Sequence, residues 1–333
     1  SGRFVLDSAT DLTRKSLQET WDLQPRSRDR QFQDAMLPYL ARNAELFGAS
    51  SDDPQQLRRD WEEVGGTRSM LGQLITIMGI VPAMYDTGQY PVAALLITEY
   101  IALGGEAGLE DMKPEEGLAT LARRAATHDA LTPRQKAALL ELADEATEPV
   151  SYDMTFDAIR CQDGPWNQSA GYWRNWVKDV QRKAPFIGPL TEVPGCAWWP
   201  NVTKMPAKLS SMRAPTTLVL QSELDAATPY EGGLRSARIL ANTSLVSVDN
   251  EGSHGVYPYG TTCVDDKVDT YFLTGRLPAQ YSTCQALPLP GETETFEVAG
   301  SIGPKGTIKI KMRTDEVKEA NAMLRELMRE AAR

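Results

Sequence analysis

The chain has 333 residues, with 45 acidic side chains against 35 basic ones and a formal net charge of −10. That balance, with a sequence pI of about 4.9, argues against nucleic acid or an anionic membrane surface as a partner. The length suggests about two domains, and no apolar run reaches the ~18 residues that would span a bilayer.

Ser1 to Asp7 reads as a short strand, and no signal peptide opens the chain. From Leu12 to about Thr147 nearly every signal is helical. Arg28 to Phe47 places Phe32, Met36, Leu37, Leu40, Leu46 and Phe47 mostly three or four residues apart, and Gly48 ends the run. Asp53-Pro54 supplies an N-cap and a first-turn proline, and Gly65-Gly66 closes that helix. Thr132-Pro133 repeats the device. Two stretches are more apolar, Met70 to Tyr85 and Pro91 to Leu103. Helical stripes of this kind form core, or alternatively the roof of a substrate cleft. The stretch Leu71 to Met84, interrupted by Gln73, Gly79 and Pro82, reads as a buried helix. Glu99 interrupts the second stripe. A carboxylate there either faces water on a polar edge or has a partner, such as a substrate α-ammonium. His128 reads as a solvated helix terminus.

Tyr152 to Pro200 returns towards a sheet. Within it, Ser169 to Ala184 carries Tyr172, Trp173, Trp176, Val177 and Val180 as an aromatic helical face, read as packing the helical region on the sheet. Asp163, two residues after Cys161, is a second candidate amine anchor; the alternative is a turn-stabilising role.

Thr216 to Leu220 is a β-branched apolar run that ends in a polar turn bearing Asp225. Thr228-Pro229 then opens a helix, with Thr228 as N-cap. A second strand, Ser244 to Val248, ends in a glycine-flanked loop bearing His254. An Asp and a His therefore each sit just past the C-terminal end of a strand, the edge at which open α/β sheets build sites. Asp before His is also the chain order of the last two triad members in α/β-hydrolases. The chain holds only two histidines, which leaves His254 as the general base. Asp265 to Leu273 reads as a closing helix followed by a loop to Cys284. Residues 294–299 and 307–312 look like two strands, and Thr314 caps a helix over 315–332.

Several of these segments carry a resemblance. Ala158 to Asp163, Cys196 to Pro200, Pro215 to Leu220, Glu223 to Asp225 with Thr228 to Glu231, Gly252 to Gly255, and Cys263 to Cys284 fall in the order found in actinobacterial tripeptidyl-aminopeptidase-like α/β-hydrolases. The chain resembles the C-terminal portion of that family over roughly residues 1–286. The resemblance implies an α/β-hydrolase fold, here the C-terminal part of its sheet, with a large helical lid insertion. Residues 1–10 would be a core strand, 11–150 the lid, 151–286 the return segment and remaining core, and 287–333 a hairpin-plus-helix extension outside the family pattern. It implies a secreted serine aminopeptidase that releases tripeptides from a free N-terminus through an acyl-enzyme, with Asp225 and His254 catalytic. It also pairs Cys161 with Cys196 and Cys263 with Cys284, against the alternative of four buried thiols; disulfides would place the protein outside the reducing cytosol. No cofactor or metal is expected, because the cysteines lack C-x-x-C spacing and only two histidines exist.

The nucleophile is the gap. A hydrolase of this fold needs a G-x-S-x-G elbow, and the stretches around Ser50, Ser69 and Ser253 all fail it. The expected partners are thus a peptide substrate and an N-terminal hydrolase polypeptide that carries the serine, completes the sheet beside Phe4 to Leu6, and supplements about three strands here. Two rival readings are an esterase or amidase on a small non-peptide substrate, and a non-catalytic binding protein derived from a hydrolase.

Overall fold

The computed structural model describes residues 2–14, 17–148, 154–200 and 215–298, together with Met323. Four strands form one parallel sheet in the order β1-β2-β3-β4: Phe4–Asp7, Thr217–Ser222, Thr243–Asp249 and Tyr281–Gln285. Parallel neighbours need crossover connections. Helix Tyr230–Ile239 links β2 to β3, and helix Asp265–Thr274 links β3 to β4. The register sets Asp7 against Leu220, and Ser222 against Val248.

Every residue of β2 and β3 is buried, because helices cover both faces. Leu218, Leu220, Val246 and Val248 pack on one face with Val264, Val268 and Tyr271. Val219 and Leu245 pack on the other with Tyr230 and Ala237. Each such aliphatic burial is worth about 1.5–3 kcal/mol, and two-sided burial is why these strands read as apolar runs. This doubly covered parallel sheet fits the C-terminal part of an α/β-hydrolase sheet that the resemblance implies. β4 corrects the expectation of three strands and a loop to Cys284. It is an edge strand in which only Cys284 is buried, so its sequence, YSTCQ, lacks the apolar signal.

The connection from β1 to β2 is a helical domain. In chain order its helices are α1 Gln18–Gln31, α2 Leu37–Arg42, α3 Ala44–Phe47, α4 Pro54–Glu63, α5 Met70–Ile75, α6 Val81–Ala83, α7 Tyr90–Ala102, α8 Pro114–Ala126, α9 Pro133–Glu145, α10 Thr155–Gln162 and α11 Ala170–Lys183. The crossover helices of the sheet are then α12 (Tyr230–Ile239) and α13 (Asp265–Thr274). The two capping signals fold as read. Asp53 accepts from the Gln55 N–H at 3.0 Å, and Thr132 and Gln135 cap each other reciprocally. Helix α7 is the centre of this domain, with ten of its thirteen residues buried, which is why it shows no polar face. Wide π turns, Phe32–Met36 and Thr76–Ile80, run on from α1 and α5.

Three further expectations change. The aromatic face of α11 packs around the Cys161–Cys196 bridge rather than on the sheet: Trp173 sits with Trp166, Cys161, Cys196 and Ala197. His128 is half-buried between α8 and α9, and its Nδ1 accepts from the Ala130 N–H. Glu294 to Val298 form no strand. Their polar groups bond to loops instead, Thr295 Oγ1 donating to the Ala286 carbonyl and the Val298 N–H to Asn250 Oδ1. The preceding residues strap α2 to the sheet domain, with Tyr39 donating to the Pro290 carbonyl and Arg42 pairing with Glu292, both at 2.8 Å. The strand over 307–312, Thr314 and the helix over 315–332 fall outside the described residues, Met323 apart. Both cysteine pairs are bonded, with S–S distances of 2.04 and 2.06 Å.

Candidate active site

β2 and β3 end side by side, and the turns that leave them carry the two titratable groups. After β2, the Glu223 N–H bonds the Val248 carbonyl and the Leu224 N–H bonds the Glu251 carbonyl, at 3.0 and 2.9 Å. These bonds lock the two turns together. Asp225 is fully buried. Its Oδ1 accepts the N–H groups of Ala227 and Thr228, both at 2.8 Å. Its Oδ2 accepts the Thr228 hydroxyl at 2.8 Å and meets His254 Nδ1 at 3.0 Å.

This arrangement shifts the start of the following helix. Thr228 does not cap it; α12 begins at Tyr230, with Pro229 as the N-cap residue. Thr228 gives both its N–H and its hydroxyl proton to the Asp225 carboxylate, which holds it in the turn after β2 rather than at the helix start.

After β3, Asn250 turns the chain in the left-handed region, at φ 63. Glu251 is buried, and its Oε1 gathers the N–H groups of Gly252 and Ser253 and the Thr87 hydroxyl, at 2.9, 2.7 and 3.1 Å. Its Oε2 accepts the Tyr259 hydroxyl. Buried Gln31 donates to the Gly252 carbonyl at 3.0 Å. A Cβ on Gly252 would stand 2.4 Å from that amide nitrogen, so this position excludes larger residues. The His254 N–H bonds the Tyr85 carbonyl at 3.1 Å, and the Tyr85 ring meets the imidazole edge-on at 5.5 Å. On the other side, Ser8 Oγ accepts the Gly255 N–H, and Asp7 accepts those of Val256 and Tyr257.

Burial alone would lower the proton affinity of His254. The hydrogen bond to Asp225, the charge of Asp225 and the charge of Asp7 outweigh it, and the pKa rises above 6.5. Burial also pushes the Asp7 carboxyl up to about 6, against the pull of the Val256 and Tyr257 N–H groups and of His254. With Nδ1 donating to Asp225, the second ring nitrogen is the basic one. Among the described residues nothing hydrogen-bonds to that Nε2. An imidazole so held can take a proton from a hydroxyl and return it.

The structure brings Asp225 and His254 together. It does not join the two tentative substrate residues to them. Glu99 is paired with Arg124 at 2.8 Å. It lies nine residues along α7 from Tyr90, whose hydroxyl accepts from Gln31, so it sits about 13 Å down the axis from the His254 end. Asp163 is exposed at the C-cap of α10. The nearby serines are engaged: Ser253 Oγ accepts the Thr87 N–H, and Ser222 Oγ donates to the Ser253 carbonyl. Asp7, Ser8, Gln31, Tyr85 and Glu251 escaped the sequence reading. Of these only Asp7 had a signal, a carboxylate closing an apolar strand.

Residues 185–284 match the model of a family described as TAP-like protein. The "Tripeptidyl aminopeptidase" of Streptomyces lividans is 36% identical over 144 residues, which is 40% of this chain and 26% of that protein. "Carboxylesterase B" of Mycobacterium tuberculosis is 33% identical over 135 residues, 39% of this chain and 26% of that protein. "Serine protease Hip1" of the same organism is 31% identical over 137 residues, 38% and 25% respectively. The chain thus spans about a quarter of the length of the relatives it matches. The family match encloses β2, α12, β3 and α13, and with them both Asp225 and His254; this C-terminal part of the chain is similar to TAP-like α/β-hydrolases.

Proposed function

We propose that the chain carries the acid–base half of a secreted serine aminopeptidase, one that releases tripeptides from a free N-terminus through an acyl-enzyme. The observation behind this reading is the pair at the strand ends, a buried, four-bonded Asp225 with His254 Nδ1 at 3.0 Å and Nε2 free of protein partners among the described residues. In the reaction His254 takes the proton of a serine as the oxygen attacks the scissile carbonyl, then gives it to the leaving amine. Asp225 holds the tautomer and stabilises the imidazolium. The serine sits on a G-x-S-x-G elbow of an N-terminal hydrolase polypeptide whose strands continue the sheet past β1. In support, the outer edge of β1 pairs with no strand among the described residues, and such edges are normally covered. The helical domain acts as the lid that limits substrate length. The two disulfides fit an oxidising compartment, and among the described residues no helix is long and apolar enough to cross a membrane.

The test uses the whole protein. It should cleave a chromogenic tripeptide with a free amine, react with a fluorophosphonate at one serine, and lose both hydrolysis and labelling rate on His254→Ala. Full activity in that variant would overturn the reading. A second reading, an esterase on a small substrate, is favoured by the engagement of Glu99 with Arg124 and by the exposure of Asp163. Equal cleavage of N-acetylated and free tripeptides, with faster turnover of a short-chain ester, would select it.

A further inference from the structure

Consecutive side chains of a strand point to opposite faces, so Asp7 and Ser8 should diverge where β1 ends. They do not. Ser8 adopts φ 64, a region that costs a non-glycine residue roughly 1–2 kcal/mol, and the turn it makes brings both side chains to one loop. Ser8 Oγ accepts the Gly255 N–H at 2.8 Å. Asp7 Oδ1 accepts the Val256 N–H at 3.0 Å, and its Oδ2 accepts those of Val256 and Tyr257 at 2.9 and 2.8 Å. The three backbone N–H groups that follow His254 are therefore all fixed by the end of β1. Strain kept at such a point is expected where the surroundings over-determine a functional geometry.

Two backbone N–H groups orient a carboxylate without neutralising it. Among the described residues no Lys or Arg pairs with Asp7. The charges that act on it are those of His254 and Asp225. We infer that Asp7 is a positioning residue of this site, a second carboxylate that fixes the loop behind His254 and stabilises its imidazolium alongside Asp225. The inference rests on His254 being the proton carrier proposed above. The groups that face the ring are Asp225 and the Thr228 hydroxyl from the β2–α12 turn, Asp7 from β1, and Tyr85 after α6, whose hydroxyl meets Arg28 at 3.5 Å. Tyr257, on the same loop, directs its hydroxyl to Asp269 of α13. Asp225 thus bonds the ring directly, and Asp7 holds the loop that carries it.

The experiment is an NMR titration of the imidazole in the full chain. Only His128 and His254 contribute signals, and His128→Gln assigns them. Asp7→Asn keeps an oxygen to accept from Val256 and Tyr257 but deletes the charge. It should lower the proton affinity of His254 about threefold or more without loss of thermal stability at pH 8. In the active hydrolase the acid limb of kcat/KM should move to lower pH by the same factor. An unchanged His254 titration in the folded variant would overturn the inference; a purely structural role predicts that result together with a lower Tm. If Asp7→Asn does not fold, the wild-type ring resonances decide. Coupling to Asp7 gives them a second inflection, and a single simple curve refutes it. A wild-type protein that hydrolyses nothing would instead refute the proposed function, while leaving the titration readable.

Discussion

Asp225→Asn gives the sharpest test of the site, because the structure dictates how the new amide must lie. Oδ1 accepts two backbone N–H groups, from Ala227 and Thr228. An NH2 placed there would face two buried donors, at about 1–3 kcal/mol for each bond left unmade. The amide therefore keeps its oxygen at Oδ1 and sets its NH2 at the Oδ2 position. There it can donate to Thr228 Oγ1 and to His254 Nδ1, which now stand 2.8 and 3.0 Å from Oδ2. Nδ1 must then accept, so the ring proton moves to Nε2 and the base is lost. A tautomer error of this kind lowers kcat by about 10⁴-fold in serine peptidases, or about 5.5 kcal/mol of barrier. Stability suffers less. All four bonds persist but lose the help of the carboxylate charge, at about 1–3 kcal/mol, a Tm loss of roughly 2–8 °C. The assay is hydrolysis of a free tripeptide substrate by the whole protein, with thermal melts and ring nitrogen shifts to read fold and tautomer. Activity within about tenfold of wild type in a folded variant would refute Asp225 as the orienting residue.

Replacing Cys263 and Cys284 by serine should cost about 3 kcal/mol in denaturant unfolding, and opening the Cys161–Cys196 bridge about 4, since the bridges span 21 and 35 residues. Loss of either bridge with unchanged stability would contradict the loop-entropy argument. The pH dependence has two parts of the same sign. The raised pKa of His254 adds stability that is complete below about pH 6.5 and fades as pH rises through the folded value. The raised carboxyl of Asp7 acts in the same direction over a lower window: stability falls as pH climbs from 3.8 to about 6, by up to about 3 kcal/mol. Urea melts of Asp7→Asn should therefore match wild type near pH 4 and exceed it at pH 8. Gly252→Ala drives a methyl into Gln31 and the Tyr90 hydroxyl, at 2.4 and 2.9 Å. It should cost about 1–3 kcal/mol of stability and most of the activity, read by melts and turnover.

What the sequence revealed follows from where each signal lives. β2 and β3 were legible because two-sided burial favours Leu and Val on both faces, as at Leu218 to Leu220 and Leu245 to Val248. β4 was hidden by its edge position, and Glu294 to Val298 looked like a strand because the alternation there places Phe296 under Arg42 and Val298 against the helical core. The caps at Asp53 and Thr132 were legible because capping is local chemistry. Thr228 was misplaced by one residue, because its hydroxyl and its N–H both bond Asp225 within the turn that precedes α12. Asp225 and His254 could be found from their order on strand ends. Asp7 showed only as a carboxylate closing an apolar strand; its role was hidden, since its bonds to Val256 and Tyr257 join residues about 250 apart, and only the parallel register brings them together.

The His254 loop is gripped from both layers of the molecule, and this limits how a lid could open. Asp7 and Ser8 hold it from the sheet. Gln31 of α1, the Thr87 N–H and the Tyr85 carbonyl hold it from the helical domain. Gln31 also donates to the Met84 carbonyl at 3.2 Å, so α1 and the segment after α6 move as one with the loop. A rigid swing of the whole helical domain would either break the three hydrogen bonds to the loop, the buried one from Gln31 at about 1–3 kcal/mol, or pull His254 off Asp225. Any opening must therefore hinge beyond α1 and residues 84–90. The amides of His254 and Thr87 should then show hydrogen-exchange protection close to that of β3, while outer helices such as α8 and α9 exchange by smaller openings. Fast exchange at both amides beside a protected β3 would show that the helical domain lifts as a unit, and that His254 is set in place only when it closes.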